Sequence, residues 1–269
     1  MRGHVSAALV SVSNLTPAAP ALDILNIPFW AASDQEYLNL VTSNVWKSLV
    51  LDKISQQGLL EVLFHYLPGP RTISTSKEYG KVIRTPDELK NVIMRVPRSQ
   101  VLKQLYNMLN ASVVDVDWKD VSSLAKMGRI EAFDPSLVGL YNGPNDLNRH
   151  VGSSTQIESV QDGWLAVVSQ RWLASLPPDL RVILDKASEM TFTQHLATTK
   201  TVQQACAKKL VESGTTLYTP TREEQRDWIR RCGSQRREWL DTKKNLLGDV
   251  DTFERLIAAT KANNGYHLG

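Results

Sequence analysis

Apolar positions along this chain follow two rhythms that alternate. From Ser33 to about Gln57 they recur every three or four residues, at Tyr37, Leu40, Val41, Val45 and Leu49, which is the spacing of one helix face. Ser33 with Glu36 three positions later is a capping box, so the pattern predicts one helix opening there. The run "LLEVLFHYL" then reads as a strand stopped by Pro68-Gly69-Pro70, with the polar "RTISTSK" behind it. Thr85-Pro86-Asp87-Glu88 is a second capping box, with proline at the first helical position, and it delivers the chain into "NVIMRVP", a strand. A helix follows over roughly Ser99 to Leu109 with Val101, Leu105 and Met108 on one face. After it come the strand "SVVDV", a short helix from Asp120 with Gly128 as its C-cap, and the strand "RIEAF".

Past the turn signal Asn142-Gly143, "GWLAVVS" reads as an apolar strand. Pro177 and Pro178 precede a long helical stretch to about Ser213, and "TTLYT" is one more strand. Near the start, "AALVSV" fits a buried strand better than a secretory leader, because serines interrupt its short apolar stretch. Thr221-Arg222-Glu223-Glu224 opens a last long helix carrying Trp228, Cys232 and Trp239 as one apolar stripe. Strands alternating with helices in this way predict an α/β chain built from parallel βαβ units.

Composition narrows the function classes. The 269 residues are 42% hydrophobic and 22% charged, an ordinary globular balance, and no apolar run approaches the roughly 18 residues a membrane span needs. The 31 basic and 28 acidic residues are interspersed, and Glu223, Glu224, Asp227 and Glu238 dilute the arginines of the last helix, so no nucleic-acid partner is expected. Cys206 and Cys232 are too few and too far apart for a zinc site; they read as two core thiols or at most one disulfide. The five histidines show no ligand spacing. No nucleophile elbow, metalloprotease pair, phosphate loop or dinucleotide fingerprint occurs, so neither an enzyme nor a cofactor is expected.

Arg95 is the residue that does not suit its surroundings. It sits among Val92, Ile93, Met94 and Val96, and a guanidinium taken out of water cannot shed its charge. The site must therefore supply an anion or several acceptors, and an anion would be either a protein carboxylate such as Asp115 or a ligand.

Several ordered segments together resemble the solute-binding proteins of tripartite ATP-independent periplasmic (TRAP) transporters, the DctP-like family. They are "ILNIPFWAASDQEYLNLV", "GPRTISTSK", "IRTPDELKNVIMRVPRS", "LNASVVDVDWKDV", "GRIEAFDP" and "RWLASLPPDLRVIL". The resemblance implies a periplasmic-binding-protein-like two-lobed α/β fold. One lobe would hold residues 1–72 and 161–200, with a hinge strand and the long helix; the other would hold 73–160 and 201–269 with the C-terminal helices. It further implies a small organic acid gripped in the interlobe cleft and delivered to TRAP membrane subunits. Arg95 would make the two-pronged ion pair with the ligand carboxylate, Arg71 a second cationic contact, and Trp118 a wall of the cleft.

Two departures qualify the resemblance. Asp134-Pro135 stands where the family often has asparagine before proline, and a carboxylate there repels an anion unless it pairs with Arg71, carries a proton or meets a donor on the cargo. The front of the chain matches the strand that follows the family's first βα units, so lobe I is expected to lack those units. Periplasmic location then depends on a leader upstream; the alternative is a truncated, repurposed protein or enzyme on the same fold in the cytoplasm.

Overall fold

The computed structural model describes residues 5–269. Among the described residues nine strands form two sheets: β1 (Ala7–Ser11), β2 (Leu60–Tyr66), β3 (Ile73–Ser76), β4 (Ile93–Val96), β5 (Ser112–Asp115), β6 (Ala132–Phe133), β7 (Val151–Thr155), β8 (Trp164–Ser169) and β9 (Thr216–Tyr218). The first sheet has the order β1-β8-β2, and the second β5-β4-β6-β3-β7-β9. Each is the centre of one lobe.

The parallel βαβ expectation holds only in part of the second sheet. There β4 runs parallel to β5 and β6, and β7 parallel to β9. Strand β3 is antiparallel to both its neighbours, and in the first sheet β8 is antiparallel to β1 and β2. The reason is connectivity. A helix between sequential strands enforces a parallel crossover, whereas β3 and β8 are each entered by an extended segment arriving from the other lobe.

Strand β3 lies inside the segment read from sequence only as the polar "RTISTSK". Its Ser74, Thr75 and Ser76 are wholly buried. Hydroxyls satisfy one another there: Thr72 Oγ1 with Ser74 Oγ at 2.7 Å, Ser74 with Ser154 at 3.0 Å and Thr75 with Ser153 at 2.7 Å. Polar side chains can occupy a sheet centre when each finds a partner.

The expected helix from Ser33 to Gln57 breaks early. Its capping box forms, with Glu36 N–H donating to Ser33 Oγ at 3.2 Å and Ser33 N–H to Glu36 Oε2 at 3.2 Å. The helix then ends at Val41, and Ser43 caps a new turn by accepting from Trp46 N–H at 3.0 Å. The last expected helix breaks too. It runs Arg222–Cys232, and a Cβ on Gly233 would lie 2.5 Å from the Ile229 carbonyl oxygen, so the sharp exit there needs glycine. Trp228, Cys232 and Trp239 are all buried as the stripe predicts.

The helices Leu240–Leu247 and Asp251–Thr260 pack on Pro20–Asn26 and on the Asp34–Trp46 region, with Phe253 against Trp30 at 4.8 Å. Their packing partners are thus segments that lie between β1 and β2 in the chain. An amphipathic helix goes where an apolar surface is open to it. Helix Pro178–Glu212, about 52 Å long at 1.5 Å per residue, touches both β2 and β9 and so spans the lobes.

Candidate functional site

Two extended segments cross between the lobes, Leu67–Thr72 and 156–163. They pair with each other: Arg71 N–H donates to Val160 O at 2.7 Å and Asp162 N–H to Gly69 O at 3.0 Å. Successive side chains of an extended strand point to opposite sides. Arg71 and Asp162 face the cleft between the sheets, where Ser11, Asn14 and Trp164 form the wall on the first lobe. Arg95, Pro97, Trp118 and Pro135 form the opposite wall. The cavity between these walls is about 40 Å³, room for a few water-sized groups.

Arg95 projects from β4, paired to Val114 on one side and Phe133 on the other, and is only 4% exposed. Its Nε and one Nη both donate to the Val116 carbonyl, at 3.0 and 2.8 Å. The guanidinium carbon lies 5.3 Å from the centre of the Trp118 ring, within cation–π range. Among the described residues no carboxylate comes within 4.0 Å, so the internal salt bridge to Asp115 that competed with a ligand role does not form. Burial pulls its pKa down to about 10, with Arg71 opposing its charge further, while Asp134 and Asp115 favour it. It remains cationic at neutral pH.

Arg71 is differently placed. It is 5% exposed and ion-paired with Asp162 at 2.8 Å and Asp134 at 3.3 Å, with Ser13 Oγ accepting at 3.0 Å. Burial disfavours its charge, but the two carboxylates outweigh that and the pKa rises. Its cation is thus already met inside the protein.

Asp134 is fully buried and does not line the cavity. Of the ways it could coexist with an anion, pairing with Arg71 is the one the structure contains, and Tyr106 adds an O–H donor at 3.1 Å. Burial pushes its pKa up, and the two arginines offset this only in part. Trp118 lies half-buried at the cavity wall.

Asp162, Ser13, Tyr106 and Trp164 were not picked out from the sequence. Asp162 is the most consequential, since it also accepts from Ser136 N–H and Oγ at 3.1 and 3.0 Å and so joins both crossing segments to the second lobe. Its only sequence signal was a carboxylate just before an apolar strand. Formal charges of Arg71, Arg95, Asp134 and Asp162 sum to zero. Arg71 takes both carboxylates, which leaves Arg95 as the cation without a contact ion pair.

Gly163, at the end of the second crossing segment, is a tight-packing position. A Cβ there would fall 2.0 Å from Tyr37 Oη. No cluster of three or more metal-ligating side chains occurs among the described residues, and no helix there is long and apolar enough to cross a membrane.

A family model described as bacterial extracellular solute-binding protein, family 7 (DctP), matches residues 1–241. A solute-binding protein of Sulfitobacter sp. (strain NAS-14.1) is 23% identical over 188 residues, covering 67% of this chain and 53% of its own. The C4-dicarboxylate-binding periplasmic protein DctP of Rhodobacter capsulatus is 21% identical over 208 residues, covering 77% and 60%. The chain thus spans little more than half the length of these curated relatives.

Among solved structures, a TRAP periplasmic solute-binding protein from Shewanella oneidensis with bound succinate superposes with TM-score 0.83 at 18% identity, over 96% of this chain and 80% of that one. A sugar acid binding protein from Advenella mimigardefordensis in complex with galactonate gives TM-score 0.85 at 17% identity, over 96% and 80%. Both share the two-lobed fold described above.

Proposed function

Because the chain belongs to the bacterial extracellular solute-binding proteins of family 7, we propose that it is the solute-binding subunit of a TRAP transporter. It takes a small organic acid between its lobes in the periplasm and hands it to membrane subunits. The observation that carries this reading is Arg95, a buried, cationic guanidinium at the cleft with no carboxylate in contact. Such a group is stabilised by an anion that reaches it, and its planar fork suits a carboxylate.

Arg95 anchors one carboxylate, Trp118 covers the guanidinium and borders the cargo, and Arg71 with Asp134 and Asp162 holds the hinge segments in register. Arg71 is therefore a positioning residue in this account. Succinate bound to the Shewanella protein and galactonate bound to the Advenella protein are consistent with an acid cargo. A cavity of about 40 Å³ is far smaller than a typical ligand pocket of about 300 Å³ or more, so the lobes part to admit cargo and close on it.

Calorimetric titration with a panel of short mono- and dicarboxylates and sugar acids tests the reading, paired with X-ray scattering on the same samples. Saturable binding of at least one acid with a change in the radius of gyration supports it. No binding across the panel refutes it.

A further inference from the structure

The charges at the cleft set how many anionic groups it can hold. Among the described residues lining the cavity, Arg71 and Arg95 are the cations and Asp162 is the anion. Arg71 is committed to Asp162 at 2.8 Å and to Asp134 at 3.3 Å. That buried group of one cation and two carboxylates leaves one negative charge, and Arg95 carries the positive charge that balances it. A first ligand carboxylate meets Arg95. A second would share the same small space with no uncommitted cation and with the buried Asp162 on its wall, where like charges repel more strongly than in water. Arg98 is no substitute, because its side chain is 63% exposed, is ion-paired with Asp117 at 3.3 Å and does not line the cavity.

The remaining walls are mostly flat and apolar. Pro97, Trp118 and Pro135 lie on one side and Trp164 on the other, while Ser11 and Asn14 supply the only hydroxyl and amide side chains. The Ser11 hydroxyl makes no capping bond to the helix Val12–Leu15 that it precedes, so it is not spent on the backbone there. A polyhydroxylated ligand would leave several of its hydroxyls without partners when the lobes close, at a cost for each. The tryptophan rings instead offer area to an apolar or planar body.

We infer that the cargo is a monocarboxylate with a compact apolar or aromatic body, and that the cleft discriminates against dicarboxylates and sugar acids. The inference rests on Arg95 as the carboxylate anchor and adds the charge and polarity of the rest of the ligand. Asp162 is the specificity-determining residue. Arg71 and the Ser136 N–H and Oγ, at 3.1 and 3.0 Å, hold it as a fixed negative group on the cavity wall, and a repulsive element of this kind sets specificity as much as an attractive one does.

Calorimetry on the full chain at neutral pH, with butyrate and benzoate against the dianion succinate and the polyhydroxylated gluconate, tests this. At least one of the two apolar acids should bind about 10-fold or more tightly than succinate and gluconate. Asn14→Lys places another cation at an exposed position on the wall, and should raise succinate affinity about 10-fold more than it raises benzoate affinity. Succinate or gluconate binding the natural chain as tightly as both apolar acids overturns the inference and leaves the acid-cleft reading standing. So does an Asn14→Lys protein that gains equally for succinate and benzoate. Binding of none of the four acids overturns the inference together with the reading beneath it.

Discussion

Acidification should destabilise this protein through His65. The imidazole, carried by β2 of the first sheet, is 3% exposed, and its Nε2 accepts from the Trp46 indole N–H at 3.1 Å. Indole is a donor only, so this contact fixes the neutral tautomer with its proton on Nδ1, facing Tyr37 Oη at 3.3 Å. Protonating Nε2 would set two N–H groups against each other in a dry site, and burial holds the pKa down at about 3. The unfolded chain titrates near 6.5, so below that pH it takes up a proton the folded state refuses. Stability is therefore full above about pH 6.5 and falls as pH drops toward about 3. At pH 5 the unfolded histidine is about 1.5 units below its pKa, which at 1.36 kcal/mol per unit amounts to about 2 kcal/mol. Urea unfolding at pH 7.5 and 5.0, for the natural chain and His65→Gln, isolates this contribution. The natural chain should lose about 2 kcal/mol more than the variant across that interval. Equal losses in the two proteins would refute the assignment.

Gly163→Ala should destabilise by about 1–3 kcal/mol, because its methyl group meets Tyr37 Oη, and Tyr37→Phe should recover part of the loss in the double variant; equal melting temperatures for natural and Gly163→Ala protein would sink the clash argument. Cys206 and Cys232 are free buried thiols, and burial pushes the Cys232 thiol up to about 12, so it should resist maleimide at pH 8 until the protein unfolds and should need no reductant to react afterwards. On the outer edge of β1, which has no partner strand among the described residues, Leu9 is 50% exposed; Leu9→Lys should reduce concentration-dependent association in light scattering, and an unchanged association curve would show that this edge is not involved.

The parts of the fold written in apolar rhythm were legible. The strands at "LLEVLFHYL" and "GWLAVVS", the Arg95 strand, the long helix and the caps at Ser33 and Thr221 all lie where the pattern puts them. The Ser/Thr strands β3 and β7 were not, because their burial rests on hydroxyl pairs formed between segments about 80 residues apart, as for Ser74 and Ser154. Sheet direction was misjudged for a related reason. The hinge crossings are short extended segments, and nothing local in Leu67–Thr72 announces that the chain leaves one lobe for the other. At the site, Arg95 stood out because its charge contradicts its strand. The part played by Arg71 depends on Asp162, which reaches it only through the pairing of the two crossings.

Arg95→Lys, measured by calorimetry against whichever short organic acid binds the natural chain most tightly, tests the central claim most directly. Lysine keeps the charge but not the two-donor fork, so affinity should fall by about 2–5 kcal/mol, on the order of 30-fold to several thousand-fold, with the melting temperature of the ligand-free protein little changed. A stably folded Arg95→Lys protein that binds the acid as tightly as the natural chain would contradict the assignment of Arg95 as the carboxylate anchor.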